Sequence, residues 1–434
     1  MKLFRIGVIV FFMSFFSGIK AQVNLDYLFG VWNDETKADT SRLKAIKKIA
    51  WNGYLFSQPD SAFYFAQLEY DFALKVDNKK YMAQALHTQG ASFYLRGNYE
   101  KALEYYQKSL KIKEELGDKK AVGSSYNNIG LIYDNQGNYE KALEYHEKSL
   151  KIKEEIGDKK GIASSYNNIG IIYDDQGNYE KALEYYEKSL KIKEEIGDKK
   201  AVGATYNNIG NIYHEQGNYE KALEYHEKSL KIREEIGDKS GMGSSLGNIG
   251  NIYKDQGNYE KALEYHEKSL KIAEERGDKR VMGSSLGNIG NIYYRQGNYE
   301  KALEYQVKSL KIRVELGDKS GMGGSYNNIG IIYAEQGNYE KALVYLLKSK
   351  KIWEEINVIT GLDLTVKALM EVYEKLGNNK KALENHKLYV NIKDSLAKMD
   401  AEEQLYKFEI DKKYELEKQA DSIKHADEII LHQA

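Results

Sequence analysis

Histidine side chains, which bind metals and transfer protons, recur in this 434-residue sequence at equivalent positions of similar segments. His146, His226 and His266 occupy one such position, which Tyr106 and Tyr186 fill in other copies. Equivalent positions in adjacent helical hairpins lie at least one interhelix distance apart, roughly 8–10 Å, whereas zinc needs imidazole nitrogens at ~2.0–2.1 Å. Aromatic packing accounts for a position shared by histidine and tyrosine. We therefore predict no metal site and no cofactor.

Carboxylates are abundant, but they too recur in copies, on faces that we expect to be solvated. General acid–base catalysis requires two titratable groups in different environments, and no single cleft of this kind is indicated. The sequence has no cysteine, which excludes disulfides, thiolate metal sites and cysteine nucleophiles. Motifs for nucleotide binding or for a serine nucleophile are also missing. We predict a protein that is not an enzyme and has no small-molecule substrate.

A strip of polar side chains changes from copy to copy while the surrounding sequence stays constant. Spacings of three and four residues place these side chains on one helix face. Asparagine amides both donate and accept hydrogen bonds, so a ladder of them suits the grip of a peptide backbone. The predicted partner-binding residues are Asn127, Asn167, Asn207, Asn211, His214, Asn251, Lys254, Asn291, Tyr294, Arg295 and Asn327.

The strip also changes sign along the chain, from Asp134 and Asp174 towards Lys254 and Arg295. We therefore predict a ligand that places an acidic group near Lys254 and Arg295. An alternative stays open for the asparagines, above all for the second one of each pair, such as Asn128. These amides would then form hydrogen bonds between adjacent helices. Nucleic acid is not an expected partner, because 64 basic and 65 acidic residues leave no basic field.

The elements that position this strip follow from a 40-residue repeat, whose unit Gly-Asn-Tyr-Glu-Lys-Ala-Leu recurs through most of the chain. Such self-similarity indicates stacked repeats, each of which buries its apolar face against its neighbours. Within one repeat we predict a first helix from about Lys159 to Asp175 and a second from Tyr179 to about Ile196. Gly177 ends the first helix and Asn178 caps the second.

Each first helix also contains a central glycine, such as Gly170, which costs ~1 kcal/mol relative to alanine. The sequence accepts this cost at seven equivalent positions. We attribute it to close approach of the paired second helix at its small residue, Ala182. The single proline, Pro59, is consistent with an almost entirely helical chain.

An aromatic residue, Ile-Gly and a second tyrosine, followed nine residues later by alanine, make up the skeleton of the tetratricopeptide repeat (TPR). In this sequence the motif is Tyr166, Ile169, Gly170, Tyr173 and Ala182. The resemblance covers roughly residues 43–396, although the period is 40 rather than 34 and Glu194 stands where that family has proline. It implies an all-α, right-handed superhelical solenoid of antiparallel helix pairs. It also implies that the first helices line a concave groove for extended peptides or helices.

The sequence divides into four segments. Lys2, Arg5 and the apolar run of residues 6–16 are typical of an export signal, with cleavage before Gln22. No other segment is apolar enough to span a membrane. The predicted segments are a signal peptide at 1–21, degenerate capping repeats at 22–97, the repeat array at 98–396 and a long charged helix at 397–434 with a weak coiled-coil pattern.

Two functions are consistent with this organisation, and both place the chain in the periplasm or another extracytoplasmic space. The first is an exported scaffold that binds protein or peptide segments in its groove. The second is the sensor segment of a longer membrane signalling protein, of the histidine kinase, cyclase or phosphatase type. The second rests on the resemblance of the layout, with export signal, repeats and charged helix, to sensor regions of bacterial signalling proteins.

Overall fold

The computed structural model describes residues 24–399, together with residues 401 and 412. Within these residues the chain is helical and contains no strand, which confirms the predicted all-α fold. No described helix combines the length and the apolar character that a bilayer span requires. The predicted signal peptide at 1–21 lies outside the described residues, as does most of the predicted C-terminal helix at 397–434.

The helices follow one another through short connections. In chain order they are α1 (Leu25–Asn33), α2 (Asp39–Lys48), a π-helical segment (Ile49–Tyr54), α3 (Pro59–Lys75), α4 (Lys79–Leu95), α5 (Tyr99–Glu115), α6 (Lys119–Asn135), α7 (Tyr139–Glu155), α8 (Lys159–Asp175), α9 (Tyr179–Glu195), α10 (Lys199–Glu215), α11 (Tyr219–Glu235), α12 (Lys239–Asp255), α13 (Tyr259–Arg276), α14 (Lys279–Arg295), α15 (Tyr299–Leu316), α16 (Lys319–Glu335), α17 (Tyr339–Glu355) and α18 (Ile359–Lys375). Residues 379–399 are also helical.

The chain forms two compact units, one up to Ser165 and the other from Tyr166 onward. In the N-terminal compact unit, aromatic contacts fill the space around the first helices. Phe29 packs edge-on against Phe65 at 5.5 Å, and the Arg42 guanidinium lies 4.5 Å from the Phe72 ring centroid. In the C-terminal compact unit, α10, α12, α14 and α16 are first helices of repeats, and each packs against the second helix that follows it.

Most connections between helices have three residues with glycine in the middle. Gly177, between α8 and α9, has a φ of +68°, a conformation that glycine adopts without steric cost. Its N–H donates to the Asp174 carbonyl at 2.7 Å, and the Asn178 N–H donates to the Tyr173 carbonyl at 2.8 Å. The helix therefore ends in a Schellman motif. The Asn178 side chain then accepts from the Lys181 N–H at 3.2 Å, which confirms both predicted caps.

The central glycines make room for a large side chain of the second helix. A Cβ atom at Gly170 would lie 2.8 Å from the Tyr186 ring and 3.4 Å from the Ala182 carbonyl oxygen. The predicted contact at Ala182 is therefore only a secondary one, and the tighter contact is Tyr186, one turn later. The side chains that fill this position in the other repeats are Tyr106, His146, His226, His266, Gln306 and Leu346.

Two glycines of α16 provide a matched test of this packing. A Cβ at Gly330 would lie 2.6 Å from the fully buried Leu346 side chain, whereas a Cβ at Gly324 would meet nothing within 4 Å. We expect Gly324→Ala to raise the free energy of unfolding by about 0.5–1 kcal/mol, because alanine favours the helix. Gly330→Ala should lower it by about 1–3 kcal/mol, because the core is overpacked. Urea unfolding followed by circular dichroism measures both; shifts of the same sign would contradict the packing argument.

A buried carboxyl group distinguishes the N-terminal compact unit. In the seven repeats that follow, the equivalent residue is serine; the Ser109 hydroxyl, for example, donates to the Ala83 carbonyl at 2.7 Å. Glu69 stands in this position, fully buried, and neither carboxyl oxygen has a hydrogen-bond partner among the described residues. Burial raises the pKa of Glu69 to about 8, although Lys47 acts in the opposite direction. The folded state therefore holds the Glu69 proton to a higher pH than the unfolded chain does.

This carboxyl group should make the N-terminal compact unit sensitive to pH. Since the folded pKa lies above the ordinary value of 4.5, the stabilising effect of the proton is full below pH 4.5 and is lost as the pH rises towards 8. We expect Glu69→Ser to abolish this loss, which is on the order of 4 kcal/mol. Urea unfolding followed by fluorescence of Trp32 and Trp51, in a Trp353→Phe background, measures it. Unchanged pH dependence in the variant would refute the assignment; Glu69→Gln is the neutral control.

Candidate functional site

The eleven predicted binding residues lie on first helices of successive repeats. Asn127 belongs to α6 in the N-terminal compact unit, and the other ten belong to α8, α10, α12, α14 and α16 in the C-terminal compact unit. Asn327 is buried, Arg295 is exposed, and the others are half-buried. The face of the first helices that carries the ten residues of the C-terminal compact unit is called the first-helix surface.

The second asparagine of each pair connects neighbouring first helices. The Asn248 amide nitrogen donates to Oδ1 of Asn207 at 3.2 Å and to Oδ1 of Asn211 at 3.0 Å. The Asn288 amide nitrogen donates in the same way to Oδ1 of Asn251 at 3.3 Å. The alternative interpretation of the sequence, in which these amides bond between helices, is confirmed for Asn248 and Asn288.

At Asn291 the direction of these hydrogen bonds is fixed by a backbone carbonyl. The Gln306 side-chain nitrogen donates to the Gly287 carbonyl at 2.9 Å and to Asn291 Oδ1 at 2.7 Å. A carbonyl only accepts, so the group of Gln306 at this point is the NH₂ and the group of Asn291 that faces it is the oxygen. That oxygen also accepts from the Asn328 amide nitrogen at 3.0 Å. The Asn291 NH₂ is left without an acceptor among the described residues.

The Asn291 arrangement recurs one and two repeats earlier, so three successive rungs share a polarity. In each rung the oxygen accepts from the next repeat, and the NH₂ has no acceptor within the described part of the chain. These half-buried groups can donate to the carbonyl or carboxylate oxygens of a ligand. The first-helix surface is thus richer in donors than the predicted ladder of balanced amides. The other two residues of this kind are Asn211 and Asn251.

Other predicted residues are engaged within the repeats. Asn167 Oδ1 accepts from the Lys193 ammonium at 3.0 Å, and Asn327 Oδ1 accepts from the Thr365 hydroxyl at 3.1 Å. Asn327 retains only 6% of its accessible surface. These contacts tie both oxygens to the scaffold, so the structure gives them a positioning role.

The predicted change of sign is visible in the contacts between first helices. Burial, followed by repulsion from Glu215 and Asp175, raises the pKa of Asp174 to about 7. One repeat further on, the His214 ring lies 2.9 Å from the Asp255 carboxylate. Asp174, Asp175 and Glu215 thus provide an acidic end to the surface, whereas Asp255 stands beside Lys254.

A depression of about 590 Å³ lies at the basic end of the surface, between α12, α14, α16 and α18. It brings together five of the predicted residues and does not include the other six. Its lining consists of Lys254, Asn291, Tyr294, Arg295, Asn327, Asn328, Ile331, Ile332, Glu335, Leu364, Lys367, Ala368 and Glu371. An amide donor, three cations, two carboxylates and apolar side chains therefore share one open site.

The charges in the depression are only partly compensated. The Lys254 ammonium lies 3.4 Å from the Asp255 carboxylate and keeps 30% of its side-chain surface exposed. Burial and then the nearby Glu335 carboxylate raise the pKa of Tyr294, so its hydroxyl stays protonated at neutral pH. Arg295 is exposed and forms no salt bridge with another described residue. Lys254 and Arg295 are therefore the groups that a ligand carboxylate could contact, whereas the Tyr294 hydroxyl is hydrogen-bonded to Glu335.

The sequence prediction missed the contribution of α18 to the depression. Lys367 stands 40 residues after Asn327, and Glu371 stands 40 residues after Ile331. The repeat register alone would have placed both on the strip. Lys367 and Glu371 were missed because α18 lacks the Asn-Asn-Ile-Gly sequence by which the other first helices are aligned.

The histidines of the second helices behave as core residues. The rings of His146 and His266 are fully buried and pack against the central glycines Gly130 and Gly250. Burial lowers the pKa of each to about 4, so both are neutral at pH 7. Among the described residues no group of three or more histidine, aspartate and glutamate side chains converges as metal ligands do.

Several solved structures share the arrangement of helices. A signal transduction ATPase with a tetratricopeptide repeat sensor, from Pyrococcus horikoshii, aligns with a TM-score of 0.58 and 21% identity over 84% of this chain and 55% of the ATPase. Aspartyl phosphate phosphatase F from Bacillus subtilis aligns with a TM-score of 0.55 and 17% identity, over 78% of this chain and 96% of that one. These identities establish similarity of fold.

A Rap protein in complex with competence and sporulation factor aligns with a TM-score of 0.52 and 15% identity, over 83% of this chain and 98% of that one. No curated protein gives a significant sequence match. A family model for the tetratricopeptide repeat matches six overlapping segments: 81–155, 121–195, 161–235, 201–275, 241–313 and 281–355. These segments cover more than half of the sequence, and the chain belongs to the tetratricopeptide repeat family.

Proposed function

We propose that this chain is a non-catalytic scaffold that binds a protein or peptide segment on its first-helix surface, with an acidic group of the ligand in the depression. The observation that carries the proposal is that the cations Lys254 and Arg295 line one open site of about 590 Å³. Hydrogen bonds from a cation to a carboxylate are roughly twice as strong as neutral ones. The carboxylate would therefore supply much of the binding energy.

The polarity of the amide ladder supports the same ligand. The NH₂ groups of Asn211, Asn251 and Asn291 are available to carbonyl oxygens, which an extended peptide presents at regular intervals. Such contacts would hold a backbone with little dependence on its sequence, while the depression would select the acidic residue. The Rap protein, which is similar in fold, was crystallised with a bound factor, which is compatible with a binding role for the surface proposed here.

We further propose that the scaffold works outside the cytoplasm, because the first 21 residues have the pattern of an export signal. A second candidate is the sensor segment of a longer membrane signalling protein. The sequence layout favours it: the charged stretch that follows the repeats resembles the segment that leads to a membrane span in such sensors. Both candidates use the same ligand-binding surface and differ in cellular context.

Arg295→Glu tests the ligand assignment. We expect peptides selected from a displayed random library by the full chain to be enriched in aspartate and glutamate. The substitution should weaken their binding by about tenfold or more, because it places a like charge against the ligand carboxylate. Fluorescence anisotropy with the selected peptides measures the affinity. Arg280→Glu is the matched control, since Arg280 is exposed at the start of the same helix and lies outside the depression.

Two outcomes would reject this assignment. In the first, selected peptides show no enrichment in acidic residues. In the second, Arg295→Glu and Arg280→Glu leave the affinity equally unchanged while circular dichroism shows both variants folded.

The export proposal is tested by the size, the cell fraction and the N-terminal sequence of the native protein. We expect a soluble envelope species that begins at Gln22 and is slightly smaller than the 49.8 kDa precursor. An unprocessed cytoplasmic species would contradict export. A much larger membrane-bound species that reacts with an antibody to the repeats would favour the sensor over the free scaffold.

A further inference from the structure

The exposed face of one second helix departs from the pattern of the others. At spacings of four, three and four residues, the side chains of a helix form one stripe on its surface. In α9 this stripe consists of Glu180, Glu184, Glu187 and Lys191. The equivalent side chains of α17 are Glu340, Val344, Leu347 and Lys351. We call these four side chains the α17 stripe. Two acidic side chains have thus been replaced by apolar ones, and Val344 and Leu347 are 52% and 43% exposed.

The replacement does not serve the packing of the repeat. In α9 the Glu184 carboxylate forms a salt bridge with Lys188 at 2.6 Å, and in α17 Val344 removes this partner from Lys348. Half-exposed Val344 and Leu347 gain little from burial in the monomer. The neighbouring second helix α15 shows a related change, with Val307 and Val314 each 49% exposed. Apolar side chains gathered on one part of an otherwise charged surface indicate a contact with another protein.

The α17 stripe is complementary to itself. Its order along the helix is acid, apolar, apolar, base. A two-fold axis midway between Val344 and Leu347, with the helices antiparallel, brings Val344 of one copy opposite Leu347 of the other. The same operation brings Glu340 of one copy opposite Lys351 of the other, twice. Glu340 and Lys351 form no salt bridge with other described residues, so both are available.

The same operation is unfavourable on α7, α9, α11 and α13, whose two central stripe positions are both glutamate. On α9 it would bring Glu184 of one copy opposite Glu187 of the other, and like charges in direct contact cost several kcal/mol. A closed dimer requires one self-complementary patch, which α17 provides and α9 excludes. We propose that two copies of this chain associate through the α17 stripe as an antiparallel, two-fold dimer. This interface is separate from the first-helix surface and does not depend on the function proposed for it.

Sedimentation velocity of the full chain over a series of concentrations tests the proposal. The expected result is a monomer–dimer equilibrium. Val344→Glu combined with Leu347→Glu should raise the dimer dissociation constant by about tenfold or more, because it restores the acidic stripe of the other repeats. Folding is expected to persist, since the same side chains are tolerated on α9. The matched control is Glu224→Gln combined with Glu227→Gln, which changes the equivalent positions of α11 and should leave the equilibrium unaltered.

The antiparallel geometry has its own test, which uses the two charged ends of the stripe. Glu340→Lys alone and Lys351→Glu alone should each raise the dissociation constant, because each places like charges opposite one another. The double variant Glu340→Lys, Lys351→Glu exchanges the charges and should recover the affinity of the parent. A monomer at every concentration, or a dimer unaffected by Val344→Glu and Leu347→Glu, would overturn the proposal. Failure of the double variant to recover would overturn the antiparallel arrangement.

Discussion

The structure depends on a three-residue connection that ends one helix and starts the next with the same residue. In the connection after α8, the Asn178 N–H closes the Schellman motif of the first helix, while the Asn178 side chain caps the second. Gly177, between the two helices, takes the left-handed conformation that the two hydrogen bonds of the Schellman motif require. The alternate connections use aspartate in the same way, as at Asp198, whose carboxylate accepts from the Ala201 N–H. With both ends fixed, the helices of the repeat array keep 17 or 18 residues and the 40-residue period follows.

Because the register is fixed, the side chains at equivalent positions of different repeats can be compared directly. Because Gly170 and its equivalents always face the same position of the second helix, that position accepts tyrosine, histidine, glutamine or leucine, each packed against the glycine. Variation at this position is explained by packing against the glycine. Variation on exposed faces has no such explanation, and it includes the first-helix surface around the depression and the α17 stripe. The repeated scaffold therefore separates the residues that build the fold from those that can recognise a partner.

The helices could be predicted well from the sequence because local capping residues determine where each helix begins and ends. The bounds Lys159 and Asp175 follow from the Gly and Asn or Asp signals, and long-range contacts are not needed to find them. The site was harder to predict. The outward-facing NH₂ of Asn291 depends on the Gly287 carbonyl, one turn earlier in the same helix, and on Gln306 of the next helix. The role of Lys367 depends on a repeat that has lost the consensus sequence. Glu69 likewise looks like an ordinary charged residue until burial is known.

Near-identity of the repeats also limits how a ligand can be positioned. An amide ladder offers almost the same contacts at Asn211, Asn251 and Asn291, so a backbone held by these groups alone could shift by one repeat at little cost in free energy. The basic residues Lys254 and Arg295 occur in two adjacent repeats and are preceded by Asp174 and His214 at the position of Lys254. An acidic ligand residue would lose its cationic partners if it moved two repeats towards Asp174. The departures from the consensus would then fix the register, while the conserved amides supply affinity that is independent of it.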